Sequence, residues 1–247
     1  MIMIPKVIHY CWFGGKPLPE LAVRCIKSWK KFLPDYEIKE WNEQNFDVNI
    51  NSYTREAYEA KKYAFVSDFA RFWILYHYGG LYFDVDVEVI KPMNKIVAEG
   101  PFFGCEDTNH GELKLQVNPG VGFGAYAHQD FLKEILELYS HLHFINSDGT
   151  YNIKTIVEYT PELRYANGLK YSSSVQNCAG FQIYPKEYFS PKNAVTRDII
   201  LTENTYTIHH YDGSWLSDSV RRRQKIKEKL SPKFVRIIQY LLDLFRK

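Results

Sequence analysis

The stretch Leu81-Tyr82-Phe83-Asp84-Val85-Asp86-Val87-Glu88-Val89 decides the fold prediction for this chain. Apolar and polar residues alternate along it, which predicts a strand that buries one face against a core. The other face carries Asp84 and Asp86, whose like charges repel unless a proton or a cation lies between them. A hard divalent ion such as Mg²⁺ or Mn²⁺ prefers carboxylate oxygens and would turn that repulsion into binding. The alternative is a half-exposed strand whose acids are solvated.

A predicted helix over residues 66–78 leads directly into this strand. Ser67 lies near its start as an N-cap candidate, and Gly79-Gly80 ends it because glycine adopts the left-handed conformation of a helix C-terminus. Asp68 and Arg71 are three residues apart and therefore face the same side of the helix. They either form an ordinary ion pair or point into a cleft whose floor is the acidic strand.

The N-terminal part of the chain follows a strand, helix, strand order. The strands are predicted over residues 4–13 and 36–41, and the helix over residues 20–32. This order is typical of an α/β nucleotide-binding domain, and the nearly uncharged first strand is expected to be buried on both faces. Ligands bind beyond the carboxyl ends of the strands in such sheets, which would bring Tyr10 and Trp12 to the ligand.

Later segments predict shorter elements, which are helices over residues 54–62 and 129–140 and strands over residues 101–105 and 182–184. Residues 117–124 are rich in glycine but lack the spacing of a dinucleotide fingerprint or a P-loop, which indicates a tight passage of backbone past a ligand. His209 and His210 are neighbours in a predicted strand and therefore point to opposite faces. Two interpretations stay open: one of them, or Asp212, completes a metal site, or one is buried and the other exposed.

Composition indicates a globular protein. The chain has 247 residues, of which 45% are hydrophobic and 24% charged, enough for a sizeable core. Its four cysteines show neither close pairing nor metal-ligand spacing, which predicts buried thiols in a reducing compartment. The N-terminus lacks a basic leader before a long apolar run, and no run of about 20 apolar residues occurs. We therefore expect an intracellular protein that is soluble or bound at a surface.

Charge is distributed unevenly along the chain. Residues 221–247 contain ten Lys or Arg against Glu228 and Asp243, a net charge of +8, whereas the preceding 220 residues carry −6. Apolar residues from Phe234 to Phe245 recur near the helical period, which predicts a basic amphipathic helix. Such a helix suits an anionic membrane surface, or it docks on the body by its apolar face. Nucleic acid is not expected as a partner because the body is acidic.

Three segments together resemble a known family. They are residues 4–9 (Ile-Pro-Lys-Val-Ile-His), 67–71 (Ser-Asp-Phe-Ala-Arg) and 79–86 (Gly-Gly-Leu-Tyr-Phe-Asp-Val-Asp). They resemble the DXD-containing sugar-binding glycosyltransferases, a family 32-like group that includes a yeast outer-chain mannosyltransferase and bacterial capsule and lipopolysaccharide transferases. The large clostridial toxin glucosyltransferases are more distant relatives of this group. Residues 210–215 resemble the family's late His-x-x-x-Ser-Trp segment, whereas most of residues 95–204 are not covered.

The resemblance implies an α/β fold of the GT-A type, with a Rossmann-like mixed central sheet and helices on both faces. The catalytic domain would span residues 1–218, and residues 219–247 would form the basic tail. The resemblance also implies retaining transfer from a nucleotide-sugar, with a UDP-sugar favoured over a GDP-sugar, assisted by Mn²⁺ or Mg²⁺. The expected acceptor is a saccharide or a lipid-linked saccharide at the cytoplasmic face of the membrane, in surface polysaccharide or glycolipid synthesis.

The resemblance further assigns roles to individual residues. The metal site would contain Asp84, Asp86 and His210, with His209 as the next choice. The implied catalytic residues are Asp68, Arg71, Asp84 and Asp86. The residues implied to bind the donor are His9, Tyr10, Trp12, Ser67, Asp68, Arg71, Tyr82, Asp84, Ser214 and Trp215.

Two other functions are compatible with the acidic motif. A non-catalytic carbohydrate-binding protein would use the acids to bind Ca²⁺ structurally. A metal-dependent phosphohydrolase would use the same acids but usually needs more His and Asp ligands for two metals. Retention at the anomeric carbon requires either a carboxylate nucleophile or same-face attack, and the sequence assigns no nucleophile.

Overall fold

The computed structural model describes residues 3–106, 116–154, 158–159, 168–170, 172–193, 196–213, 222 and 226. Its strands are β1 (Val7–Cys11), β2 (Glu37–Trp41), β3 (Gly80–Tyr82), β4 (Val87–Val89), β5 (Phe102–Glu106), β6 (Gln116–Val117), β7 (Phe123–Ala125), β8 (Gln176–Cys178), β9 (Phe181–Tyr184) and β10 (Thr207–His209). Its helices are α1 (Glu20–Phe32), α2 (Ser52–Glu59), α3 (Tyr63–Tyr78), α4 (Asn94–Ala98), α5 (Asp130–Ser140) and α6 (Lys186–Phe189).

The strands build a mixed central sheet in the order β2-β1-β3-β7-β5-β9-β8, with β6 beside β5. Strands β2, β1 and β3 are parallel, as are β5 and β9, whereas β7 runs antiparallel between β3 and β5. Helix α1 contributes Cys25 and Trp29 to one hydrophobic core, and α3 and α5 contribute Phe72 and Phe131 to another. The predicted fold class, α/β with a mixed central sheet between helices, is confirmed.

Most predicted elements lie within a few residues of the observed bounds. Helix α1 agrees at both ends, with Pro19 directly before its first turn. Helix α3 begins at Tyr63, about one turn earlier than predicted, so Ser67 lies inside it and donates its hydroxyl to the Tyr63 carbonyl at 3.2 Å. The N-cap prediction for Ser67 is therefore wrong. At its other end α3 stops at Gly79, as predicted, with a φ of 64°.

The acidic stretch is not the single strand that its alternation predicted. Strand β3 ends at Tyr82, and a turn follows in which the Val87 N–H donates to the Asp84 carbonyl at 3.0 Å. The Asp84 N–H donates to the Gly120 carbonyl at 2.9 Å, which draws the chain away from β1. Strand β4 then pairs with β10 in a separate antiparallel sheet. Asp84 and Asp86 therefore lie beyond the carboxyl end of β3, the edge at which α/β sheets bind ligands.

All four cysteines are buried thiols, as predicted. Burial raises the pKa of Cys11 and the pKa of Cys25 to about 12, which keeps both thiols protonated and unreactive. Within the described part of the chain, no helix combines the length and the apolar character needed to cross a membrane.

Some predictions concern residues outside the described ranges. They are the amphipathic helix of the basic tail, the domain boundary at residue 218, and the donor contacts of Ser214 and Trp215. These stay predictions.

Candidate active site

Arg71 links helix α3 to the turn of residues 84–87, which carries Asp84 and Asp86 and is called the acidic turn below. Its Nη2 atom lies 3.1 Å from Asp68 Oδ1 and 3.2 Å from Asp84 Oδ1, and its guanidinium lies over the Tyr82 ring at 5.1 Å from the centroid. Burial opposes the charge of Arg71, but the carboxylates, above all that of Asp84, raise its pKa above the ordinary value. The pair predicted from the i,i+3 spacing is thus a buried bridge rather than a solvated surface pair.

His209 faces the second acid of the turn. Strand β10 pairs with β4 so that His209 is opposite Val87, which places Nε2 of His209 3.4 Å from Asp86 Oδ1. Burial opposes both charges, but their mutual attraction raises the pKa of His209 and lowers the pKa of Asp86 to about 2. The Asp212 N–H also donates to Asp86 Oδ2 at 2.8 Å. Both oxygens of Asp86 therefore contact residues 209–212.

Glu106 is a site residue that the sequence did not reveal. It ends strand β5, and its Oε2 atom accepts from Asn118 Nδ2 at 2.8 Å and lies 3.9 Å from Nδ1 of His209. Burial raises the pKa of Glu106, against the opposing effects of His209 and Asn118. A single glutamate after a strand has no motif of its own, and the predicted strand stopped at Cys105. Only the pairing of distant segments brings Glu106 to the acidic turn.

His209, rather than the His210 preferred from the sequence, faces the acidic turn. Nε2 of His210 lies 2.8 Å from Glu88 Oε2, whereas His209 faces Asp86 and Glu106. His209 is the last residue of β10 and His210 lies just after the strand, and of the two rings it is the His209 ring that lies beside Asp86 and Glu106. His209, not His210, therefore faces Asp86, and a metal contact of either histidine stays a prediction.

The structure does not bring His9 to the site formed by Asp86, Glu106 and His209. Its Nδ1 accepts from Trp41 Nε1 at 3.0 Å, and its Nε2 donates to the Gly79 carbonyl at 3.1 Å. Burial lowers the pKa of His9 to about 4, so the ring is neutral. Both ring nitrogens are thus engaged in packing β1 against β2 and the end of α3, and the predicted donor contact of His9 has no geometric support.

Tyr10 and Trp12 lie at the end of β1, where the sequence placed them, but they differ in access. Tyr10 is buried against Trp29, and its hydroxyl donates to Glu40 Oε2 at 2.6 Å. Trp12 is half-buried, and its Nε1 donates to the Lys16 carbonyl at 2.5 Å. Trp12 therefore offers ring surface to a ligand, whereas the Tyr10 hydroxyl is already engaged. Their roles beside a nucleotide base stay predictions.

Asp86 and His209 fit one side of a divalent cation site. Mg²⁺ is usually held by one or two carboxylates together with waters and substrate phosphates, carboxylates also suit Mn²⁺, and a neutral imidazole nitrogen is a common metal ligand in proteins. The 3.4 Å separation between Oδ1 of Asp86 and Nε2 of His209 is short enough for both atoms to ligate one ion. Among the described residues, no group of three or more His, Cys, Asp or Glu side chains is arranged to hold a metal. Phosphate oxygens of a ligand would complete the coordination.

Residues 19–103 match the family described as the glycosyltransferase sugar-binding region containing a DXD motif. The predicted resemblance is confirmed. The matched stretch includes helix α3, Arg71 and the acidic turn, and it ends before Glu106 and His209.

Two relatives from Schizosaccharomyces pombe are similar to part of the chain. Inositol phosphoceramide mannosyltransferase 1 is 33% identical over 113 residues, which are 41% of this chain and 34% of that protein. Inositol phosphoceramide mannosyltransferase 3 is 35% identical over 102 residues, which are 38% of this chain and 27% of that protein. The chain thus spans about a third of the first relative and about a quarter of the second. Among solved structures, the PaToxG glycosyltransferase has 18% identity and a TM-score of 0.48, over 66% of this chain and 68% of that chain.

Proposed function

We propose that the protein is a metal-dependent, retaining glycosyltransferase that moves a sugar from a nucleotide-sugar to a saccharide or lipid-linked saccharide. The donor is a UDP-sugar in preference to a GDP-sugar, and the cation is Mn²⁺ or Mg²⁺. The observation that carries the proposal is the acidic turn, in which Asp86 faces His209 while Arg71 holds Asp84, within a stretch that matches glycosyltransferases.

The charges around the turn suit the departure of a nucleoside diphosphate. Breaking a glycosyl–phosphate bond leaves negative charge on the diphosphate, which a bound cation stabilises as that charge develops. Asp86 and His209 would hold the cation, and Asp84 would face the ribose or the sugar. Arg71 is fixed by two carboxylates, so the side of the site formed by α3 does not need to reorganise when the donor binds.

The proposed acceptor and location rest on the relatives and on the tail. The two S. pombe proteins are named inositol phosphoceramide mannosyltransferases. The +8 charge of residues 221–247 suits an anionic membrane, where each basic residue contributes about 1 kcal/mol. We therefore place the protein at the cytoplasmic face of a membrane, where it adds a sugar to a surface polysaccharide or glycolipid.

Thermal unfolding with a panel of nucleotides tests the donor site. UDP with Mn²⁺ is expected to raise the melting temperature more than UDP or Mn²⁺ alone, because a ligand that binds only the folded state stabilises it. GDP measured in the same way compares the two nucleotides. Asp86→Ala is expected to lose the metal-dependent rise while keeping a cooperative transition. A rise with Ca²⁺ alone, unaffected by any nucleotide, would support the structural Ca²⁺ alternative instead.

Sedimentation with vesicles tests the membrane location. The full chain is expected to sediment with vesicles that contain anionic lipid but not with neutral ones, and deletion of residues 219–247 is expected to release it. Replacing Arg221, Arg222 and Arg223 with Gln keeps the chain length and tests charge alone. Equal binding of the full and the shortened chain to anionic vesicles would contradict the proposed role of the tail.

A further inference from the structure

A series of contacts connects the acidic turn to His209 at the end of β10. The Asp84 N–H donates to the Gly120 carbonyl, and the Gly120 N–H donates to Asn118 Oδ1 at 2.7 Å. Asn118 Nδ2 then donates to Glu106 Oε2 at 2.8 Å. Glu106 approaches Nδ1 of His209, and Nε2 of the same ring faces Asp86, which is two residues from Asp84 in the chain. Segments far apart in the chain thus converge on one imidazole.

His209 is held between two carboxylates, one at each ring nitrogen. Its Nε2 lies 3.4 Å from Asp86 Oδ1, and its Nδ1 lies 3.9 Å from Glu106 Oε2. The Nδ1 atom is buried and has no hydrogen-bond partner among the residues that the structure describes. A buried N–H without a partner costs about 1–3 kcal/mol, and Glu106 is positioned to remove this cost by a small shift toward the ring.

We propose that Glu106 is a positioning residue that orients His209 toward the cation through its Nδ1 atom. When a cation is held between Asp86 and Nε2 of His209, Glu106 accepts the Nδ1–H and fixes both the tautomer and the plane of the ring. Carboxylates in this relation to a metal-bound histidine commonly change metal affinity 10- to 100-fold. The inference rests on the proposed metal-dependent function and adds a residue that lies outside the matched stretch.

Two features of Glu106 favour this role over direct binding of the cation. The oxygen nearest to His209 already accepts from Asn118, so that oxygen faces the ring and the amide together. Glu106 approaches Nδ1 of His209, whereas Asp86 approaches Nε2, so the two carboxylates face different nitrogens of the ring. Asn118 in turn fixes Glu106, because its amide oxygen is held by the Gly120 N–H.

Glu88 provides a matched control. It contacts His210 at 2.8 Å, so Glu88→Gln removes a carboxylate from a histidine one residue further along the chain. Glu106→Gln changes the charge by the same amount and keeps the shape of the side chain. Glu106→Asp keeps the charge but withdraws it from the ring by one methylene.

The experiment is a titration of the full chain with Mn²⁺ in the presence of UDP, read as free Mn²⁺ by electron paramagnetic resonance. Glu106→Gln is expected to weaken Mn²⁺ binding about 10-fold or more, with Glu88→Gln equal to the wild type. Unchanged affinity in Glu106→Gln, or equal weakening in both variants, would overturn the inference. If Glu106→Gln does not fold, folded Glu106→Asp decides: weaker binding supports the inference and unchanged binding overturns it. Absence of Mn²⁺ binding by the wild-type chain would instead contradict the proposed function itself.

Discussion

Gly120 packs directly against the Asp84 carboxylate. A Cβ atom at position 120 would overlap Asp84 Oδ2, while the backbone of Gly120 both accepts from Asp84 and donates to Asn118. The glycine-rich segment therefore passes close to the acidic turn, whereas its predicted passage past a ligand stays a prediction. Position 120 thus controls where the first acid of the motif lies.

Gly120→Ala is expected to displace the Asp84 carboxylate and lower turnover of a nucleotide-sugar about 100-fold. A displacement of about 1 Å in a catalytic geometry lowers the rate about 100-fold. Overpacking lowers the free energy of unfolding by about 1–3 kcal/mol. Turnover is measured as release of the nucleoside diphosphate, and stability by thermal unfolding.

Gly180→Ala is the control, because its φ of +76° makes a side chain strained while no atom of the described part of the chain lies within 4 Å of the new Cβ atom. It is expected to lose stability but keep turnover. If Gly120→Ala keeps wild-type turnover, the carboxylate does not need the position that Gly120 gives it.

The sequence predicted local features of this site better than its assembly. Helix α1 and the glycine stop of α3 depend on neighbouring residues, so both could be read from the sequence. The alternation in residues 81–89 also correctly placed Leu81, Phe83 and Val87 in the core. It did not reveal the turn, because the hydrogen bond that bends the chain comes from Gly120, more than thirty residues away.

The histidine pair and Glu106 show the same limit. Which of two adjacent histidines enters a site depends on the register of β10 against β4, and register is not visible in one strand alone. Glu106 becomes a site residue only because β5 ends beside the segment of Asn118 and His209. Contacts between distant segments decide both cases, and a single sequence does not record them.

Arg71→Met is expected to destabilise the fold by about 3–5 kcal/mol, because it leaves the carboxylates of Asp68 and Asp84 without the guanidinium that contacts both. The measurement is urea unfolding at neutral pH. Arg24→Met is the control, since Arg24 forms an exposed i,i+4 pair with Glu20 whose loss is expected to change stability by less than about 1 kcal/mol. Equal effects in the two variants would show that the Arg71 bridge behaves as a surface pair.

His209→Gln and His210→Gln separate the two histidines. His209→Gln is expected to weaken Mn²⁺ binding in the presence of UDP about 10-fold or more, because its Nε2 faces Asp86. His210→Gln is expected to bind Mn²⁺ as the wild type does, because its ring contacts Glu88 instead. The reverse order of affinities would restore the assignment preferred from the sequence.

His9 is expected to make stability depend on pH between about 6.5 and 4. Its pKa is lowered to about 4 in the folded protein by burial, against an ordinary value of 6.5. The unfolded chain therefore binds the proton first as the pH falls, so the stability present above pH 6.5 is progressively lost down to about pH 4. Over that interval the loss amounts to about 3 kcal/mol.

Urea unfolding at pH 7 and pH 5 tests this effect in the wild type, His9→Gln and His77→Gln. His9→Gln is expected to be less stable at pH 7, since it loses the contacts to Trp41 and Gly79, but to lose less stability between the two pH values. His77→Gln replaces an exposed histidine and is expected to follow the wild type. If His9→Gln and the wild type lose the same free energy of unfolding from pH 7 to pH 5, a group other than His9 carries the pH dependence.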